Sequence, residues 1–461
     1  MDRSKELGEK KISKLLLQFS LPAIVAMLVN ALYNVVDRIF VGNGVGDLAI
    51  AGITIGFPVM LITMAFSMLV GMGATSLISI RLGQQKKEEA EQVVGNAFLL
   101  LLLISSTMAV LGLVFLETIL QAFGASKAVL PYASSYLGII LIGTPLMGMG
   151  MGLNNFIRAE GNPKMAMNTM LIGFGTNIIL DYLFIFPLGM GIQGAALATV
   201  ISQGISASWV LYYFLFGKSL IKIRVKYLKL QPSIYMSIFA IGLAPFAMQL
   251  TNSLQQVILN KSLAFYGGDL AVSAMGILFS VLTLLFMPII GLSQGVQPII
   301  GFNYGAMQYD RVKETLKIAI VTGTVIVICG YAVVQIWPEQ IVRLFTDNVA
   351  LIEMGSHGIR TFLLMLPVIG FQIIGSNYFQ AVGKAKQAAI LSLSRQVLIF
   401  IPLLLILPHF WGLEGIWRTA PLADITSVIL TAVFLVRELK HLETEQQQKI
   451  SKQDDIVLAA E

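Results

Sequence analysis

The chain has 461 residues, a hydrophobic fraction of 56%, a charged fraction of 12% and a mean hydropathy of +0.80. A soluble domain of this length needs far more charge to cover its surface, so the composition points to a protein that crosses the bilayer many times. The net charge of +6 does not signal a nucleic-acid partner, because the 31 Lys and Arg are scattered over separate pieces of chain instead of collected on one face.

Residues 1–14 carry Arg3, Lys5, Lys10, Lys11 and Lys14 against Asp2, Glu6 and Glu9, and no small-residue cleavage site follows the first apolar run, so no signal peptide is expected. Twelve apolar windows long enough to cross a bilayer as helices then follow, at 15–41, 48–80, 93–116, 132–156, 165–186, 192–216, 233–259, 270–302, 315–337, 357–379, 386–408 and 412–436. Basic residues fall in alternate loops. Twenty-four of the 31 lie in the N-terminal segment, near 81–92, 158–164, 217–230, 303–317 and 380–387, or beyond Arg437. This bias predicts a multi-pass protein of the cell membrane with both termini in the cytoplasm.

Adding 222 to a residue number in the first half often meets the same residue in the second. "GDLA" at Gly46–Ala49 returns at Gly268–Ala271, and Asn30, Gly73, Gly83, Pro145 and Asn155 meet Asn252, Gly295, Gly305, Pro367 and Asn377. An even number of helices per repeat makes both halves enter the membrane from the same side. The expected fold is therefore all-α and integral to the membrane, with twelve transmembrane helices in two six-helix bundles related by a pseudo-two-fold axis along the membrane normal. The corresponding divisions are a cytoplasmic segment at 1–14, an N-lobe of helices 1–6 at 15–216, a cytoplasmic linker at 217–232, a C-lobe of helices 7–12 at 233–436 and a cytoplasmic tail at 437–461. Two such bundles flanking a cleft make an alternating-access device.

Two apparent nucleotide motifs fail on context. "GMGIQG" at Gly189–Gly194 has the G-x-G-x-x-G spacing but neither a preceding strand nor a following acidic residue, and "FGKS" at Phe216–Ser219 has Tyr212 where a phosphate loop needs glycine. Cys329 is the only cysteine, and His357, His409 and His441 lie far apart, so neither a disulfide framework nor a metal site is expected. No cofactor is implied.

The informative residues are the ionisable groups inside apolar windows, which are functional hypotheses because a charge in hydrocarbon is costly. They are Asp37, Asp181, Arg395 and Asp424, with Glu414 and Arg418 nearer an end. Asp37 and Asp181 lie at matching depths toward the outer ends of helices 1 and 5. Asn30, Tyr33 and Asp37 share one face of helix 1, Asn177 and Asp181 share a face of helix 5, and helix 6 adds Thr199, Ser202 and Gln203. Two carboxylates in one low-dielectric layer cannot both be ionised cheaply, which suits them to hold and release a proton. In the second half Asp37 is matched by Leu259, with Gln255 and Gln256 nearby, so ion coupling is expected in the N-lobe. Arg395, Asp424, Glu414 and Arg418 are expected to pair and hold helices 11 and 12 together.

"VVDRIFVG" ending helix 1, "IRAEGNPK" after helix 4, "TNIILDYLFIF" in helix 5 and "GIWRTAPLAD" in helix 12 together resemble the multidrug and toxic compound extrusion family, in detail its bacterial DinF-like and MepA-like branch. The resemblance covers nearly the whole chain. It implies a secondary exporter, not an enzyme, that antiports amphipathic and often cationic organic compounds or drugs against protons, acting as a monomer in the lipid bilayer. Its implied ion-coupling residues are Asp37, Asp181, Asn177 and Thr199. Tyr33, Asn30, Asn154, Asn177 and Gln203 are the candidates for substrate contact. The alternatives are coupling to sodium (Na+) within the same family and a flippase of lipids or lipid-linked saccharides. Helix 7 and residues 361–379 have no acid where another branch binds its cation, which argues against a C-lobe sodium site.

Overall fold

A computed structural model describes residues 3–458 apart from 46, 124, 126, 128, 346 and 347; the helical side chains outside the described set include those of residues 33–39. A short helix α1 (Arg3–Glu9) precedes α2 (Ile12–Gly44), α3 (Asp47–Gly83), α4 (Lys87–Val114), the short α5 (Leu116–Ala122), α6 (Leu130–Ala159), α7 (Pro163–Ile185) and α8 (Gly191–Leu215). After a linker with one 3-10 turn, Val225–Tyr227, come α9 (Pro232–Gly305), α10 (Tyr309–Ile336), α11 (Pro338–Arg343), α12 (Val349–Phe362), α13 (Leu366–Ala381) and α14 (Ala385–Leu393). A π-turn (Ser394–Phe400), α15 (Ile401–Trp411) and α16 (Leu413–Leu458) complete the chain. Eleven helices are long and apolar enough to cross a membrane, and the α12–α13 pair, bent by 51°, makes a twelfth span.

The helices are set by apolar length, and their ends by local chemistry. The Asn162 side chain caps α7 by accepting from the Met165 N–H at 3.3 Å, with Pro163 in the first turn, where its missing N–H costs nothing. Gly161 before that cap and Gly383 at the repeat-related turn have φ of 94° and 76°, a region that favours glycine. Gly268 (φ 66°) breaks α9 into two arms, which supply spans 7 and 8.

Three spans differ from their hydropathy windows. The tenth, expected as one helix at 357–379, is broken at 363–365 because Pro367 opens α13 and cannot bond back into the preceding turn. In the eleventh, the turn before Pro402 is widened into the π-turn. The twelfth continues well past residue 436 as helix, since no Gly or Pro interrupts the charged sequence that follows.

The basic loops gather at one end of the molecule, here the terminal face. There the Asn303 amide donates to the Leu7 carbonyl at 3.0 Å, Lys313 pairs with Glu443 at 3.4 Å, Arg224 with Glu91 at 2.7 Å, and Lys384 with the buried Glu438 at 2.7 Å. One apolar core at this end unites both bundles, running from Leu7 and Phe19 through Val70 and Ile78 to Ile299, Phe302 and Tyr378. Toward the other face it divides. Val41, Tyr136, Ile185 and Ile192, and separately Val59, Leu120 and Leu137, belong to the first bundle; Leu263, Met275, Ile359 and Trp417 belong to the second.

Glycine makes the union close. A Cβ on Gly83 would lie 2.0 Å from the Phe302 carbonyl oxygen, and one on Gly305 would lie 2.2 Å from that of Ile80. These contacts exchange under the 222-residue shift, as a two-fold axis between the bundles requires. Gly73 against Ile238, Gly242 against Leu69, Gly291 against Ile24 and Gly295 against Ser20 extend the seam, always in the half nearer the terminal face. Such backbone approaches let dispersion act where lipid offers no hydrophobic drive. Toward the opposite face, Gly44, Gly52, Gly56 and Gly267 pack only within their own bundle.

The linker is fastened to the first bundle by Glu160, which is 1% exposed. Its carboxylate accepts from the Tyr213 hydroxyl, from Ser219 Oγ at 2.7 Å and from the N–H groups of Leu220 and Ile221 at 2.9 and 3.3 Å, while Asn162 donates to Tyr213 at 3.0 Å. Burial pushes the Glu160 carboxyl above the usual range against the pull of these donors. Each donor stripped of its acceptor costs about 1–3 kcal/mol, so Glu160→Ala is expected to lower the melting temperature in detergent sharply and Glu160→Gln much less. The folded chain holds this proton more tightly than the unfolded one. The contribution of Glu160 is therefore complete below its unfolded value of about 4.3 and lost as pH rises through the folded value. Glu160→Gln should flatten that part of the pH–stability curve, and a curve unchanged by the substitution would refute the assignment.

Candidate functional site

In the first bundle a buried polar chain crosses from α7 to α8. Asp181, Asn177 and Thr199 are 1%, 3% and 6% exposed. With the Asn177 amide turned to satisfy both its ends, its N–H donates to Asp181 Oδ2 at 3.0 Å and its oxygen accepts from the Thr199 backbone N–H at 3.2 Å. The opposite orientation, with the amide N 3.4 Å from Thr199 Oγ1, would set the amide oxygen against the carboxylate. Two acceptors facing each other repel, so the first arrangement is the physical one. The helical spacing positions these groups: Asn177 and Asp181 are one turn apart on α7, and Gln203 lies one turn beyond Thr199 on α8, half-buried, with its Oε1 lacking a partner.

The outer end of α2 packs on this same stretch of α7. A Cβ on Gly44 would lie 2.2 Å from Ile185, and the Phe40 ring meets Tyr182 and Phe186 at centroid distances of 6.3 and 5.9 Å. Counting back from the Gly44–Ile185 contact at 1.5 Å per residue puts the backbones of positions 37 and 181 within about 4 Å of the same depth. Asn30 sits half-buried two turns below position 37. The side chains of Tyr33 and Asp37, expected to complete the site, lie outside the described residues.

Asn154 is not brought to this group. It lies five residues from the end of α6 at the terminal face, whereas Asp181 lies eighteen residues from the start of α7 at that face. The helical rise separates their depths by about 20 Å. Asn154 is 5% exposed, and its Oδ1 has no hydrogen-bond partner.

In the second bundle Arg395 donates from Nε to Asp424 at 2.8 Å, joining helices 11 and 12. Glu414 takes Arg418 at 2.9 Å and also His357 of α12 at 2.7 Å, a partner that sequence spacing did not reveal. Two further features escaped the sequence reading: the Glu160 fastening, because a loop carboxylate shows no burial in a hydropathy profile, and the aromatic contacts of Phe40, whose neighbours arrive from a distant helix.

The geometry is that of a two-bundle membrane protein with its deep polar chain in one bundle, and similarity now identifies the family. A family model for MatE matches residues 22–183 and again 245–406, one match in each bundle. The chain belongs to the MatE family. It is 30% identical over 433 residues to the multidrug export protein MepA of Staphylococcus haemolyticus (strain JCSC1435), covering 94% of this chain and 95% of the relative. To MepA of Staphylococcus aureus (strain NCTC 8325 / PS 47) it is 29% identical over 443 residues, covering 94% and 96%. Among solved structures, the MATE multidrug transporter DinF-BH in complex with rhodamine 6G superposes with a TM-score of 0.87 at 41% identity, covering 93% and 96%. A multidrug resistance MATE transporter of the MOP superfamily in an outward-facing conformation gives 0.90 at 25% identity, covering 95% and 98%. This MatE chain is accordingly a multi-pass multidrug efflux transporter and not an enzyme.

Proposed function

We propose that the chain exports amphipathic organic cations in exchange for protons by alternating access, as a monomer in the cell membrane with both termini in the cytoplasm. The observation that carries this reading is the buried Asp181–Asn177–Thr199 chain toward the outer end of the first bundle. The bundles, which correspond to an N-lobe at 15–216 and a C-lobe at 233–436, act as the two moving bodies. Their glycine seam closes the cytoplasmic side while their outer halves pack separately, which fits an outward-open state.

In that state Asp181 and Asp37 face the medium that supplies protons. Ionised, the pair attracts a cation; protonated, it does not, so proton entry from outside releases the cargo outward. Each ligand favours a different charge state of the same carboxylates, and that differential affinity couples the gradient to export. DinF-BH binds rhodamine 6G, a cationic aromatic dye, and a ligand of this class fits a cleft with carboxylates in one wall.

The test is dye uptake into everted vesicles carrying the chain, with a proton gradient or a sodium gradient as the only driving force. Proton-driven uptake is expected, and Asp37→Asn should abolish it while leaving expression intact. Uptake driven by sodium alone would replace this reading with the sodium-coupled one.

A further inference from the structure

The seam between helices 1 and 5, which holds the N-lobe polar chain, has a repeat-related counterpart between the first arm of α9 and the π-turn of helix 11. Asn252 is Asn30 shifted by 222, and Gln255 and Gln396 stand where the first repeat has Tyr33 and Phe174. In place of carboxylates this seam carries primary amides. The Gln396 Nε2 donates to Asn252 Oδ1, which joins the two helices. Gln396 is 6% exposed, and its Oε1 has no hydrogen-bond partner; Gln255, one turn along from Asn252 on α9, has its Oε1 in the same condition. Asn252 itself is exposed, on the arm of α9 that meets α3 of the other bundle, with Phe246 and Phe66 at 4.9 Å between ring centroids.

Two features make this more than a helix–helix bond. An amide oxygen left without a donor in a low-dielectric interior costs free energy, and such a group persists most readily where a ligand completes it. The π-turn puts an extra residue into helix 11, and such turns are frequent at functional sites. It lets consecutive residues diverge, Arg395 toward Asp424 on helix 12 and Gln396 toward Asn252 on helix 7. The Arg395–Asp424 pair is neutral as a unit, so it neither draws nor repels a cation here.

We propose that Asn252, Gln255 and Gln396 form a C-lobe shelf that hydrogen-bonds the N–H or O–H groups of the transported molecule while its cationic centre is held by the N-lobe carboxylates. The inference rests on the export reading above and deepens it, by making neutral hydrogen-bond donors a determinant of which cations are carried. Molecules bearing only charge and apolar surface bypass the shelf; those bearing amine, amide or hydroxyl donors use it.

Two probes separate these classes: ethidium, which carries two arylamine groups, and tetraphenylphosphonium, which has no hydrogen-bonding group. Their affinities would be measured on the purified full chain by fluorescence and by equilibrium dialysis, for the wild type, Gln255→Leu and Gln396→Leu, with the melting temperature of each variant recorded. Loss of one neutral hydrogen bond predicts ethidium affinity about threefold to tenfold weaker in each variant. Tetraphenylphosphonium affinity should be unchanged. Gln255→Leu is the safer variant, because the Gln255 side chain is only half-buried, and it keeps the test decisive if Gln396→Leu fails to fold. Equal weakening of both probes, or unchanged ethidium affinity, would overturn the shelf while leaving the exporter intact. Failure of the wild type to bind either cation would overturn the export reading and the shelf with it.

Discussion

Asp181→Asn is expected to reduce proton-driven efflux at least tenfold without disturbing insertion or folding. The substitution changes one atom in a site that is 1% exposed and keeps the shape that Asn177 packs against. What it removes is the charge, and with it the difference between the two states that a proton gradient uses. An interaction that does not discriminate between states shifts no equilibrium however strong it is. The pH dependence of cation binding should therefore flatten in the same variant. Thr199→Val should be milder, since it removes a hydroxyl near Asn177 but leaves the backbone N–H to which the amide oxygen bonds. Asp181→Glu keeps the charge but adds a methylene where packing leaves no room, and partial activity with a retained pH response is the expected outcome. Wild-type efflux by Asp181→Asn would show that the buried chain only joins α7 to α8. Counterflow and pH-jump assays on reconstituted protein distinguish these results.

The fold was largely legible because a bilayer imposes a length on every span, and twelve windows of that length stand out against short polar loops. The repeat was legible through turns and close approaches: Gly161 and Gly383 share a left-handed conformation, and Gly83 and Gly305 share the axis of the seam. Hydropathy could not show what depends on backbone hydrogen bonding. The break before Pro367 and the widened turn before Pro402 leave the average hydropathy of their windows unchanged.

In the site, Asn177, Asp181 and Thr199 could be read because helical spacing and depth place them on facing surfaces. Asn154 belongs with them only if helix direction is ignored. Since α6 runs toward the terminal face, a residue near its end lies on the wrong side of the membrane from Asp181. Glu160 shows the converse case. Its burial depends on Tyr213 and Ser219, more than fifty residues away in sequence, and no local pattern announces such a partnership.

Gly242→Val is expected to open the seam at the terminal face. A Cβ at this position would lie 1.8 Å from the Leu69 carbonyl oxygen and 2.7 Å from its carbon, both backbone atoms of a rigid helix. Neither can swing aside as a side-chain tip can, so α9 and α3 must separate by more than an ångström, and the reciprocal contacts about the axis separate with them. Overpacking of this kind costs about 1–3 kcal/mol and more where backbone blocks relaxation. A shift of about 3 kcal/mol changes a two-state ratio more than a hundredfold, enough to depopulate a sealed state that is favoured only modestly. Ser76 reports the change. It is buried in the seam, where its hydroxyl accepts from Gln297 of the opposite bundle at 3.0 Å. In a Cys329→Ala background, Ser76→Cys should be slow to react with a membrane-impermeant maleimide applied at the terminal face and at least tenfold faster once Gly242→Val is added. Gly276→Ala is the matched control on the same helix, because a Cβ there meets nothing within 4 Å, and it should leave both labelling and efflux unchanged. Efflux should fall in Gly242→Val because the cleft no longer closes behind the cargo; equal labelling in the two variants would mean that the glycine seam does not set which side of the transporter is shut.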